Sequence, residues 1–99
     1  MRRLSLAEKA RADLQRVRRQ SLRLWGAERT ADYMADLLVA MDHIRTRTLP
    51  GVARDEIARG YRSFRCGRHI IYFRLTFDAA VVTRVLHDRM DHAAQLKDS

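Results

Sequence analysis

The stretch that most limits what this chain can fold into is residues 61 to 90. Tyr61-Arg62-Ser63-Phe64-Arg65-Cys66 is followed by the turn Gly67-Arg68 and by His69-Ile70-Ile71-Tyr72-Phe73-Arg74-Leu75. A second turn at Thr76-Phe77-Asp78 leads into the run from Ala79 to Met90. Three short segments rich in aromatic and β-branched residues, broken by Gly- and Asp-bearing turns, predict a meander of three antiparallel strands. The middle segment is apolar on both sides, with Ile71, Phe73 and Leu75 on one and Ile70 and Tyr72 on the other. One side can cover other elements; the second is expected to be partly bare, as binding surfaces often are. Residues 61 to 75 also hold four arginines and no acid. Alternation sets Arg62 with Phe64 and Arg65 with Ser63, so these cations divide between the two faces. Arg84 falls between Val82 and Leu86, a poor place for a charge unless it is paired; Asp78, Asp88 or a partner's carboxylate is the expected counter-ion.

Ahead of the meander the spacing changes to a helical one. Ser5-Leu6-Ala7-Glu8 has the S-x-x-E form of a capping box and predicts a helix starting at Ser5. Ala7, Ala10, Leu14, Val17, Ser21, Leu24 and Trp25 then recur at steps of three and four, and Gly26 is a natural stop. A second helix is expected from Glu28 to Arg45, with Tyr33, Met34, Leu37, Leu38, Met41 and Ile44 on one side. Residues 1 to 25 hold eight bases and two acids, whereas residues 26 to 46 hold two bases and four acids. Opposite charge and matching stripes around one glycine predict an antiparallel helical hairpin. The arginines of the first helix read as a solvated face. Thr48-Leu49-Pro50-Gly51 is turn chemistry, and the polar tail from Asp91 to Ser99 is expected to be mobile unless something docks on it.

In 99 residues with a net charge of +8, nearly all the positive charge is arginine. That balance points to an acidic partner, and arginine suits forked contacts with carboxylate or phosphate. Charge alone leaves nucleic acid and an acidic protein segment both open. One cysteine, Cys66, excludes an internal disulfide, and no apolar run is long enough for a membrane span or a signal-peptide core. A single cytoplasmic domain is therefore expected. His43, His69, His87, His92 and Cys66 lack zinc-type spacing, so no metal and no cofactor is expected.

The order of parts resembles ParE toxins of the RelE/ParE superfamily. The resemblance is carried by the N-terminal Arg-x-Leu-Ser of Arg2-Arg3-Leu4-Ser5, by Trp25-Gly26, by Tyr33, and by the loop from Asp55 to Ser63. Its most specific parts are Gly67-Arg68-His69-Ile70-Ile71-Tyr72-Phe73-Arg74 and Arg84-Val85-Leu86-His87-Asp88-Arg89-Met90-Asp91. Leu6 stands where relatives usually have proline, and Asp88 where a glutamine is common. The resemblance implies an α+β fold of order βααβββ, an antiparallel sheet packed against an N-terminal helical hairpin. It also implies the toxin of a bacterial type II toxin–antitoxin system, linked to plasmid stabilisation. Such a toxin is neutralised by an acidic ParD-like antitoxin in a hetero-oligomeric complex and inhibits DNA gyrase when free. On that reading Arg62, Arg65, Arg68, Tyr72, Arg74 and Arg84 meet the antitoxin, while His87, Arg89 and Met90 meet the target. No direct sequence-specific DNA binding and no catalytic residue are then expected.

The alternative is a RelE-like, ribosome-dependent mRNA endoribonuclease, with His87, Arg65, Arg84 and Arg89 moving the proton and stabilising phosphorane-like charge. Against it, the paired lysines of those enzymes are missing and no aromatic hydroxyl follows His87.

Overall fold

The computed structural model describes residues 2–46 and 51–97. The chain runs β1 (Arg3–Leu6), α1 (Glu8–Trp25), α2 (Ala27–Arg45), β2 (Val52–Ala53), β3 (Arg62–Cys66), β4 (His69–Leu75), β5 (Ala79–His87) and α3 (His92–Leu96). The expected turn at 48 to 50 lies outside the described residues. This is the α+β arrangement anticipated above, with a five-stranded sheet in the order β1-β5-β4-β3-β2. β3, β4 and β5 form the antiparallel meander, and β1 joins the far side of β5 in parallel. The sheet is thus mixed, and two-residue β2 extends its other margin.

The first helix begins later than the capping box suggested. Ser5 and Leu6 belong to β1, opposite Val81 and Val82, and α1 starts at Glu8 with Ala7 as an N-cap that offers no side-chain bond. The reason is competition: the β5 margin satisfies the backbone of residues 3 to 7, from Arg3 N–H on Asp78 O to Ala7 N–H on Val82 O (both 2.9 Å). A hydroxyl cap at Ser5 satisfies only one donor. Gly26 fulfils its expected role at φ +85°, its N–H closing α1 on Leu22 O while its carbonyl accepts from Thr30 and opens α2. Leu24, placed on the stripe by spacing, is instead exposed beside that turn.

The main core lies between the hairpin and one sheet face. Val17, Leu37, Met41, Ile44, Ile71, Phe73, Val82 and Val85 pack together there. Each such side chain contributes roughly 1.5–3 kcal/mol by leaving water. A bulge interrupts the β4–β5 ladder: Tyr72 faces Arg84 but Phe73 faces Val82, so Thr83 is the extra residue. Simple alternation puts Val82 and Leu86 on one side. The bulge separates them, sending Val82 and Val85 to the hairpin and Leu86 to the opposite face.

That opposite face is not bare. Tyr61, Tyr72 and Leu86 meet Leu96 of α3, with Ile70 and Met90 at their edge. Asp91 caps α3 by accepting from Ala94 N–H, and His92 is bonded on both nitrogens, to the Tyr72 hydroxyl (2.6 Å) and to His87 O (2.8 Å). Residues expected to be mobile therefore close this apolar patch with the chain's own tail. No helix among the described residues is long and apolar enough to cross a membrane.

Candidate functional site

Alternation along β3 holds: Phe64 and Cys66 pack toward the hairpin core, which leaves Arg65 on the opposite face. Arg65 reaches across the β3–β4–β5 end to Asp88, Nη2 to Oδ2 at 2.7 Å. Arg62 is half-buried and donates to Gly51 O. Arg68 sits in the tight turn, exposed, and its carbonyl accepts from Asp88 N–H. Arg74, also exposed, stacks over the Tyr61 ring, 5.8 Å from its centroid, on the face away from the hairpin. Among the described residues, Val52 and Ala53 pair with β3 on its outer side, opposite Ser63 and Arg62, while β4 is the strand that pairs with Phe64–Cys66. Arg65 and Arg68 are both exposed at this end of the sheet.

Two of the six residues expected at the partner surface lie inside the protein. Tyr72 is buried under α3 and hydrogen-bonded to His92, and burial raises its hydroxyl pKa. Arg84 has a side chain only 7% exposed and is paired with neither Asp78 nor Asp88. Its counter-ion is Asp13 of α1, with Nε on Oδ2 at 2.7 Å and Nη2 on Oδ1 at 3.0 Å. The same carboxylate accepts from Val85 N–H at 2.9 Å and from Arg16. Arg84 also donates to Gln95 O at 2.9 Å, tying α1, β5 and α3 together. The bond to Asp13 holds the guanidinium firmly protonated, raising its pKa against the opposing effect of burial. β1 stops at Leu6, and beyond it α1 covers the β5 margin, so Asp13 replaces the missing strand as acceptor for Val85. One sequence signal marked Asp13. It stands between Ala10 and Val17 at helical spacing, a charge on an apolar stripe.

His87, Arg89 and Met90 do come together. With Arg16, Gln20 and His69 they line a cleft of about 280 Å³ where α1 passes the end of β5. The helix arginines are therefore not uniformly solvated: Arg16 belongs to this cleft. His87 Nδ1 accepts from Arg89 N–H and lies 3.1 Å from Asp88 Oδ1. Burial pushes the Asp88 carboxyl up, but the bond from Arg65 and the positive neighbours outweigh it and hold it below the usual carboxylate range. His69 is buried, in edge contact with His87, and its Nδ1 takes the Tyr33 hydroxyl at 2.6 Å. Burial first, then His87, lowers its pKa to about 4. A neutral His69 whose Nδ1 is already occupied supports packing rather than proton transfer at pH 7. Tyr33, raised by burial, also accepts from Arg68 N–H and packs on Trp25, so the turn, the hairpin and the cleft share one polar chain. Burial likewise raises the Cys66 thiol.

Of the four groups named for ribonuclease chemistry, only His87 and Arg89 line the cleft; Arg65 is engaged by Asp88 and Arg84 by Asp13. No cluster of three metal-binding side chains occurs among the described residues.

Residues 4–92 match the family model described as ParE toxin of type II toxin-antitoxin system, parDE. A Mycobacterium tuberculosis protein named Toxin ParE1 is 34% identical over 87 residues, spanning 87% of this chain and 89% of its own length. Toxin ParE1 of Caulobacter vibrioides is 31% identical, with 92% and 94% covered. Toxin ParE of Escherichia coli is 30% identical, with 94% and 91% covered. Among solved structures, a chain of the chromosomal ParDE TA system from P. aeruginosa superposes with a TM-score of 0.74 at 20% identity. That match spans 88% of this chain and 96% of the other, and establishes the shared fold.

Proposed function

The chain belongs to the ParE toxin family and is the toxin component of a type II toxin–antitoxin system; from that premise we propose that it works by binding proteins rather than by chemistry of its own. When neutralised, it is held by an acidic ParD-like antitoxin lying along the β3–β4 margin, where Arg62, Arg65, Arg68 and Arg74 supply charge-assisted contacts. When free, it inhibits DNA gyrase, and the cleft of His87, Arg89 and Met90 is the surface that meets it. The observation that carries this reading is the pair of exposed arginines, Arg65 and Arg68, at the β3–β4 end of the sheet, in a chain of net charge +8. An incoming acidic segment finds cations to neutralise there.

Tyr72 and Arg84 support this surface from within and do not touch the antitoxin. Arg68→Glu is therefore the informative substitution, compared with Arg19→Glu on the exposed outer side of α1. Titration with the acidic protein expected from the adjoining reading frame should show Arg68→Glu weakening capture about tenfold more than Arg19→Glu. Equal losses would mean that bulk charge alone is recognised.

Supercoiling assays and primer extension on translated mRNA separate the two toxin mechanisms. Inhibited supercoiling with intact message is the expected result. Codon-phased cuts abolished by His87→Ala would establish the ribonuclease instead.

A further inference from the structure

The cleft at the end of β5 differs in chemistry between its floor and its mouth. Val17 and Val85, 5% and 2% exposed, carry the main core up to the floor, and half-buried Met90 lines it with them. His69, its pKa lowered to about 4 by burial and by His87, is neutral at pH 7 and adds no charge. The cations stand at the mouth. Arg89 is exposed and forms no ion pair with an acid among the described residues, while Arg16 shares the carboxylate of Asp13 with Arg84. Among the described residues no acid lines the cleft; Asp88, beside His87 in sequence, turns its Oδ2 to Arg65.

We propose that this cleft takes one apolar side chain of leucine size from the target protein, with a neighbouring carboxylate of the same segment settling on Arg89. That assignment rests on the reading that the cleft meets the target, and it names the chemistry of the surface recognised there. Size favours a single side chain. The cleft holds about 280 Å³, just under the roughly 300–1,000 Å³ of sites that enclose a whole small molecule. Methyl groups entering it displace water from Val17, Val85 and Met90, and the unbranched Met90 thioether adapts to their shape. A carboxylate on the exposed Arg89 guanidinium then gains a charge-assisted contact. A nucleotide fits less well, because its base needs a ring face to stack on. The two rings that line the cleft, His69 and His87, are packed edge to face against each other, centroids 5.3 Å apart.

The test uses the full chain labelled for methyl and amide NMR and titrated with acetyl-Leu-Asp-amide. The Met90 methyl and the Arg89 amide are expected to shift and saturate. Acetyl-Leu-Asn-amide and acetyl-Ala-Asp-amide should each bind at least about fivefold more weakly. In Arg89→Gln the preference for Asp over Asn should vanish while the preference for Leu over Ala stays; Arg19→Gln should keep both. Arg89→Gln should also raise by about fivefold the concentration of chain that halves gyrase supercoiling. Unshifted signals, equal binding of the three peptides, or an Asp preference that survives Arg89→Gln would overturn the proposal. Adenosine monophosphate saturating the same signals at lower concentration than the peptide would do so too. Supercoiling by the parent chain separates the two levels. A chain that inhibits gyrase while the Met90 methyl ignores the peptide disproves the anchor alone, and a chain that leaves gyrase untouched disproves the wider reading.

Discussion

Replacing Asp13 by Asn tests the tie that holds the three layers together. The carboxylate is 1% exposed and faces a guanidinium only 7% exposed. Asn keeps one oxygen but turns an NH2 donor toward Arg84, which loses the carboxylate charge that faces it in the interior. Removing one partner of a buried pair costs about 3–5 kcal/mol. A domain of this size has roughly 5–15 kcal/mol in total, so the variant is expected to lose a large part of its stability. The corresponding fall in Tm is at least about 12 °C, at about 4–8 °C for each kcal/mol. Urea unfolding at pH 7, followed by far-UV circular dichroism, reads this as a lower midpoint at unchanged slope. The double variant Asp13→Leu/Arg84→Met strands no charge and should be more stable than Asp13→Asn alone. A loss below about 1 kcal/mol for Asp13→Asn, or a double variant whose cost equals the sum of its single changes, would refute the argument. The same reasoning makes Arg84→Glu a folding defect and not a probe of antitoxin binding.

Other outcomes follow from the polar chain around Tyr33. His69 titrates near 6.5 unfolded but at about 4 folded, so the unfolded chain binds the extra proton between those values. Stability should be fully present above pH 6.5 and fall by about 3 kcal/mol as pH drops to 4. Urea titrations at pH 7 and 4.5 should show this fall in the parent and a smaller one in His69→Asn; equal falls would assign it elsewhere. The depressed Asp88 carboxyl loses its contribution only below its ordinary value of 3.8, outside that window. Gly67 has φ +59°, and a Cβ there would lie 2.8 Å from the Tyr33 ring and hydroxyl. Gly67→Ala is expected to cost about 2 kcal/mol or more, measured by the same unfolding assay. His92→Ala removes the two hydrogen bonds of the His92 ring, to Tyr72 and to His87, so amide exchange at residues 93 to 97 should quicken at least about tenfold while the β4 and β5 amides stay protected. Uniform quickening would show that α3 is part of the global unfolding unit.

Elements defined by near neighbours in the chain were legible from the residues. The meander, the Gly67-Arg68 turn, the paired helices and the stop at Gly26 each rest on spacing within about 20 residues. The cluster of His87, Arg89 and Met90 was legible too, because they lie in one short segment at the end of β5 and face a common cleft. Ser5 shows how a local signal is overridden: its capping pattern is real, but a parallel strand 76 residues away offers its backbone more.

The amino-acid order by itself thus determined the α+β class, the family and the excess of arginine. Which arginines remain at the surface was decided only in three dimensions. Arg74 and Arg84 sit on neighbouring strands of the same meander, yet one lies over Tyr61 at the surface and the other is locked to Asp13, 71 residues earlier. A bulge at Thr83, an edge strand that ends at Leu6 and a tail that folds back over Tyr72 set that difference. The physical reason is that charge and periodicity are local properties of a sequence, whereas burial and ion pairing depend on which distant segment arrives.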